Sequence, residues 1–285
     1  MILMRSIASR RKNRRRGLSF AMLMTLLVVP LSFQPSVVRS SPPPRSSPPC
    51  LRATPPAPLT RSLLARQAGI MWLAAAALGP VCDGRHSSHD VLHYNADSIL
   101  GPPWLFHAPG SEQVLLETCW WVPVAFGGAG VVLGASHPLL DRAWGGGLRE
   151  PPGWPLVLVS IVAFVACYDL SGQLAQAAAA ADASGAAHLL PVDLPLLCCA
   201  VGFFVLFERS RGGLLMMVLL AAIGPATEVG LINQLHLYAY THPDVAGIPT
   251  WIPWVYAAGG PPNGALGRQV LHELTTRMGD PPPDD

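Results

Sequence analysis

The 285-residue chain is 51% hydrophobic and only 13% charged, with 30 prolines, 27 glycines and a mean hydropathy of +0.37. That composition excludes an ordinary pair of soluble domains and points to a polytopic membrane protein. The net charge of +2 conceals a split: residues 1–82 hold no Asp or Glu but carry Lys12 and eleven of the eighteen arginines, whereas the remainder is acidic. No aromatic platform accompanies the basic stretch, so no nucleic-acid partner is expected.

Residues 1–16 are basic, and residues 18–33 (LSFAMLMTLLVVPLSF) form an apolar run short for a membrane span. This is the layout of a secretory signal, with small residues near 38–41 as a cleavage site. The Ser-, Pro- and Arg-rich stretch from residue 40 to 66 lacks acids and reads as transit-like. Signal followed by transit is the two-part address of plastids of secondary origin; the alternative is a signal or anchor with a Pro-rich linker. Residues 1–60 are therefore set apart as a targeting leader, 62–275 as the folded domain and 276–285 as a disordered tail.

Six apolar segments follow, near residues 63–81, 114–136, 154–171, 187–207, 213–239 and 249–268. Lipid cannot satisfy exposed backbone, so each is expected to cross as a helix. The fold class is all-α, a bundle of six transmembrane helices. FFVLF (203–207), ERSRGG (208–213) and the apolar run beyond them predict a helical hairpin hinged at residues 208–211. In the sixth segment Pro261 and Pro262 predict a kink or break. Arginine placement checks the count, because positive residues stay on the side of insertion. Arg61, Arg66, Arg142, Arg149, Arg209, Arg211, Arg268 and Arg277 fall on one side of a six-span arrangement and only Arg85 on the other; five or seven spans would scramble this.

The six cysteines (Cys50, Cys82, Cys119, Cys167, Cys198 and Cys199) show no C-x-x-C spacing. Cys119, Cys167, Cys198 and Cys199 read as small apolar residues in helices, and no disulfide framework is indicated. Between the first two segments His86, His89, Asp90 and His93 could share a helical face and hold a transition metal or titrate near neutral pH. Without a Cys partner or a metalloenzyme pattern, the preferred reading is a polar loop with no metal.

Glu228 lies inside the fifth segment, beside Thr227 and ahead of Asn233 and Gln234. A carboxyl group at membrane depth normally faces a protein interior or a water-filled cavity. In neutral form it can donate a hydrogen bond to a hydroxyl-bearing ligand; an inter-helix hydrogen bond is the alternative. Trp120 and Trp121 sit where indole rings mark the membrane interface. FGGAG (126–130) offers a surface for close helix packing or for a ligand. Glu208, Arg209 and Arg211 flank the hairpin turn, as contacts for a partner or lipid headgroup or as anchors of helix ends. No nucleophile elbow, zinc-protease helix, phosphate loop or paired intramembrane carboxylates appear, so no enzyme and no cofactor are expected.

WWVP (120–123), HPLLD (137–141), FERSR (207–211), YTHPD (240–244), WIP (251–253) and the pair Gly259 and Gly260 followed by GRQ (267–269) resemble, in order, the motifs of the Insig (insulin-induced gene) membrane proteins. The resemblance runs from about residue 118 to 270. It implies a non-enzymatic regulator in the endoplasmic reticulum membrane that binds an oxysterol-like lipid within its bundle. Membrane partners bearing sterol-sensing domains would then be retained, giving feedback control of sterol synthesis. Ligand contacts are expected at Trp121, Phe126, Glu228 and Asn233, and partner or headgroup contacts at Glu208, Arg209 and Arg211. Three departures stand out. The first connection is longer than in the family, and Glu228 falls one residue off a Thr-Gln pair. An aspartate that the family ties to partner binding is replaced by Ala175 in GQLA (172–175), which argues against the animal-type escort interaction. Two rivals remain open. One is a plastid-membrane lipid or pigment binder; the other is a small transporter or membrane enzyme using Glu228, Asp169 and the histidine loop.

Overall fold

The computed structural model describes residues 59–112, 114–145, 149–181 and 189–279. The leader through residue 58, with its signal- and transit-like segments, and residues 280–285 of the expected tail lie outside the described residues, whereas residues 276–279 of that tail continue the last helix. Six helices succeed one another: α1 (Arg61–Ser88), α2 (Trp121–Gly145), α3 (Trp154–Ala180), α4 (Leu194–Phe203), α5 (Arg211–Asn233) and α6 (Ile252–Gly279). Single π-helical turns at Leu189–Asp193 and Phe204–Glu208 lengthen α4 into a 20-residue span. This span and α1, α2, α3 and α5 are long and apolar enough to cross a membrane. At about 1.5 Å per residue, 20 residues match the ~30 Å hydrocarbon core of a bilayer. The described residues form a polytopic membrane bundle of six helices.

Helix ends have local causes. Thr60 caps α1 by accepting the Leu63 N–H at 3.2 Å. After the π turn, Arg209 adopts a left-handed conformation (φ 59°) and Ser210 caps α5, its Oγ accepting the Gly213 N–H at 2.8 Å. This is the hairpin placed by sequence at 208–211. Gly213 is required here, because a Cβ at that position would collide with the Glu208 side chain.

The sixth helix, α6, carries Asn263, Arg268, Gln269, His272, Glu273 and Arg277, and it is the most enclosed of the six. Every residue from Ile252 to Leu271 is buried or half-buried, and each of the other five helices packs against it. It runs as one helix through Pro261 and Pro262, so the expected break does not occur. Where α6 crosses α2, a Cβ on Gly267 would strike the Gly134 carbonyl oxygen and lie 2.9 Å from its Cα. Gln67 of α1 closes this crossing, its Nε2 donating to Gly134 O at 3.2 Å and Gly267 O at 3.0 Å. The first, second and last helices thus share one buried amide. In FGGAG, Gly127 accommodates the Trp72 ring and Gly130 the Met71–Ala75 turn of α1, while Gly128 meets open space. Gly127 and Gly130 serve helix packing, and Phe126 and Ala129 face a cavity.

Two segments depart from the expected helices. Residues 114–118 form β3 (Val114–Thr118), antiparallel to β2 (Trp104–His107), and residues 238–240 form β4 (Tyr238–Tyr240), antiparallel to β1 (Leu92–Tyr94). Both follow from period-two alternation: Tyr238 and Tyr240 face inward while Ala239 faces out, and Glu117 turns in to accept the Tyr94 N–H at 2.8 Å. Cys119 sits in the turn between β3 and α2 rather than in a helix, whereas Cys167 lies in α3 and Cys198 and Cys199 in α4. Cys82, Cys119, Cys167, Cys198 and Cys199 are all free thiols.

The alternation of helix direction is visible in two ties. The β1–β4 pair joins the far ends of α1 and α5, and Arg268 joins the far ends of α2 and α4 to the second half of α6. Seven of the eight arginines assigned to one side lie near helix ends or in connections there. Arg268 instead lies well inside α6 and is 7% exposed.

Candidate functional site

A cavity of about 460 Å³ opens between α2 and α5, with α6 behind it and the β1–β4 pair across one end. Its volume lies in the range of about 300–1,000 Å³ usual for small-molecule sites. Leu133, Leu219, Leu220 and Leu231 wall it. Val132 (62% exposed) and Ile223 (59% exposed) form its rim on the lipid-facing flank of the bundle. The other end is polar. Glu228 is buried, with Tyr240 Oη donating to Oε2 at 2.8 Å and Tyr256 Oη donating to Oε1 at 2.7 Å. Gly224, one turn before Glu228, lets the Tyr256 ring lie on the α5 backbone. Asp83 accepts from Tyr94 Oη at 2.6 Å. His86 Nε2 lies 2.8 Å from Ser171 Oγ, whose own proton goes to the Tyr168 carbonyl, so His86 is the Nε2–H tautomer and donates. Trp121 and Tyr238 stack at 6.4 Å, with Tyr94 edge-on to Trp121 at 5.7 Å.

Burial pushes the phenols of Tyr94, Tyr238 and Tyr240 above their ordinary value, with the Asp83 carboxylate adding to this at Tyr94 and that of Glu228 at Tyr238 and Tyr240. A phenol that resists ionisation only when folded adds stability that is fully present below the unfolded value of about 10 and is lost as pH rises beyond it. Ultraviolet titration is therefore expected to show phenolate absorbance from these tyrosines only together with loss of the fold. Ordinary titration of an intact protein near pH 10 would contradict it.

Trp121, Phe126 and Glu228 line this one cavity. Asn233 does not: it is exposed, and its Nδ2 donates to Val229 O at 3.0 Å and Ala246 O at 2.7 Å, fastening the α5–α6 connection. Sequence reasoning missed Tyr94, Tyr240, Tyr256 and Asp83; the Leu-His-Tyr and Tyr-Ala-Tyr alternations were the available signal for the strands that carry two of them.

Glu208, Arg209 and Arg211 separate. Arg209 and Arg211 are exposed, whereas Glu208 is buried and bound to Arg268, with Nη1–Oε2 at 2.7 Å and Nη2–Oε1 at 3.0 Å. Arg268 also grips Asp141, Nε–Oδ2 at 2.5 Å and Nη2–Oδ1 at 3.0 Å. Arg149 donates to the Glu208 carbonyl at 2.8 Å, Ser210 donates to its carboxylate, and His137 Nδ1 stands 3.7 Å from Oε2. HPLLD, FERSR and GRQ therefore converge on one doubly bidentate ion cluster.

The histidines of the first connection go to separate carboxylates: His89 to Asp169 at 3.0 Å, and His93 to Asp90 at 2.8 Å and Glu117 at 3.3 Å. Among the described residues no three His, Cys, Asp or Glu side chains converge as a metal site. Asp169 also accepts from Gln173 at 2.6 Å and is not part of the Glu228 cavity.

No family model matches the chain. It is 29% identical over 160 residues to the insulin-induced gene 2 protein of Gallus gallus, covering 55% of this chain and 64% of that protein. With the insulin-induced gene 1 protein of Danio rerio it shares 28% over 166 residues, 58% of this chain and 62% of the other. The matches thus span less than two thirds of these curated relatives. A solved structure, the mycobacterial Insig homolog MvINS from Mycobacterium vanbaalenii, superposes with a TM-score of 0.53 at 21% identity, covering 72% of this chain and 94% of that one. The class is that of multi-pass helical membrane proteins with the Insig fold. Within it, the chain is similar in sequence, as a divergent relative, to the insulin-induced gene proteins.

Proposed function

We propose that this chain is a non-enzymatic membrane regulator that binds a sterol or related lipid between α2 and α5, and that occupancy controls membrane partners in feedback on sterol synthesis. One observation carries the reading: an apolar cavity open on the lipid flank and closed at one end by hydrogen-bonding groups. Such a site holds an apolar body in its shaft and selects a polar head at its end, because unmatched buried polar groups are costly. The likeness to the insulin-induced gene proteins supports this reading, and the partners would be membrane proteins with sterol-sensing domains in the endoplasmic reticulum. The partner-facing surface differs from the family pattern at Ala175, which is half-buried on α3.

A photoreactive hydroxysterol should label peptides of α2 and α5 in the purified chain. Ile223→Trp, which fills the rim, should reduce that labelling about tenfold or more while leaving the thermal transition near that of the parent. Label absent from both helices, with non-sterol lipids competing freely, would overturn the proposal.

A further inference from the structure

Enclosed carboxylates are handled in two ways in this bundle. Asp141 and Glu208 share the guanidinium of Arg268, the usual way to offset a charge kept from water. Asp83 and Glu228 both line the cavity, and neither joins an ion pair among the described residues. Among the described residues no lysine or arginine lines the cavity. Its imidazole, His86, already gives its Nε2 proton to Ser171. Three tyrosine hydroxyls donate to these two carboxyl groups, one to Asp83 and one to each oxygen of Glu228, and both groups keep further acceptor lone pairs facing the cavity. Around them stand the rings of Trp121, Tyr238 and Tyr240, whose faces attract cations. The positive charge that would balance this end of the cavity is not supplied by the lining.

We propose that the cavity takes a cationic amphiphile, an ammonium head on an apolar body, with the ammonium seated between Asp83 and Glu228 against the Trp121–Tyr238 stack. This rests on the reading of the cavity as a lipid site and narrows it from any polar-headed lipid to one bearing an amine. An ammonium supplies several donors to oxygens that retain free lone pairs after accepting from tyrosine, and its charge is matched in a medium where mismatch is expensive. A neutral hydroxyl satisfies one acceptor and brings no charge to pair with either carboxyl group.

The test uses the full chain in lipid nanodiscs, a photoreactive 3β-hydroxysterol as probe, and two competitors of one ring skeleton, a 3β-aminosterol and a 3β-hydroxysterol. The amine is expected to displace the probe at a concentration about tenfold or more below that of the hydroxysterol. In Asp83→Asn and in Glu228→Gln, each verified by its thermal transition, the advantage should shrink toward parity while the probe still labels. If the hydroxysterol competes as well as the amine, the lipid site stands and the cationic preference is overturned. An amine advantage that survives in both variants reflects partition into the bilayer and also overturns it. If the probe labels nothing, the lipid site fails, a result distinct from both.

Discussion

Replacing Arg268 by alanine is expected to destabilise the protein by about 3–5 kcal/mol, because it leaves two carboxylates enclosed with no shared counter-charge. Asp141 and Glu208 are 6% and 3% exposed, so water cannot take over from the guanidinium. The Arg149 contact to Glu208, from a side chain 44% exposed, does not reach Asp141. Lysine should rescue poorly, since one ammonium cannot make paired contacts to two carboxylates in fixed planes. The informative companion is the triple variant Arg268→Met, Asp141→Asn, Glu208→Gln, which removes the charges together and should recover much of the loss. Detergent-solubilised thermal transitions check both. A single Arg268→Ala variant as stable as the parent would show that the cluster does not hold α2, α4 and α6 together.

The second large effect is expected at the α2–α6 crossing. Gly267→Ala places a methyl against the backbone of Gly134, with no flexible side chain to yield, so the helices must move apart. Overpacking of this kind costs about 1–3 kcal/mol and can exceed it when backbone rather than side chain must shift. It should be compounded here by the loss of one or both Gln67 hydrogen bonds. Gly128→Ala, on the same helix six residues before Gly134 and with nothing within 4 Å, is the matched control and should be neutral or slightly stabilising through helix propensity. A thermal shift of equal size for the two would mean the crossing is not as close as described.

What could be read in the sequence depended on the kind of pattern that carried it. Six crossings were legible because apolar length and arginine placement are long-range signals that survive local irregularity. Glu228 stood out because a carboxyl group in an apolar run is rare. The strands were hidden because Tyr238-Ala239-Tyr240 continues an apolar stretch, and three residues of alternation cannot outweigh twenty of helix-compatible sequence. Glu208 was visible as part of a motif but was placed at the surface with Arg209 and Arg211. Neighbours in sequence at a helix end point in different directions, and only the fold shows that Glu208 turns toward Arg268, sixty residues away. Asn233 looked like a cavity group by its nearness to Glu228, yet five residues along a helix end it lies on the connection instead.

The character of α6 bears on how the protein is made. A segment carrying two arginines, an asparagine, a glutamine and a glutamate gains little from entering bilayer hydrocarbon alone, since charged residues at mid-depth oppose insertion by about 2.5–3.5 kcal/mol each on translocon scales. It becomes favourable only once Asp141, Glu208 and Gln67 are in place to receive it. Insertion of α6 therefore depends on α1, α2 and α4, made before it, and a chain that stalls before α6 leaves Asp141 and Glu208 without their shared counter-charge.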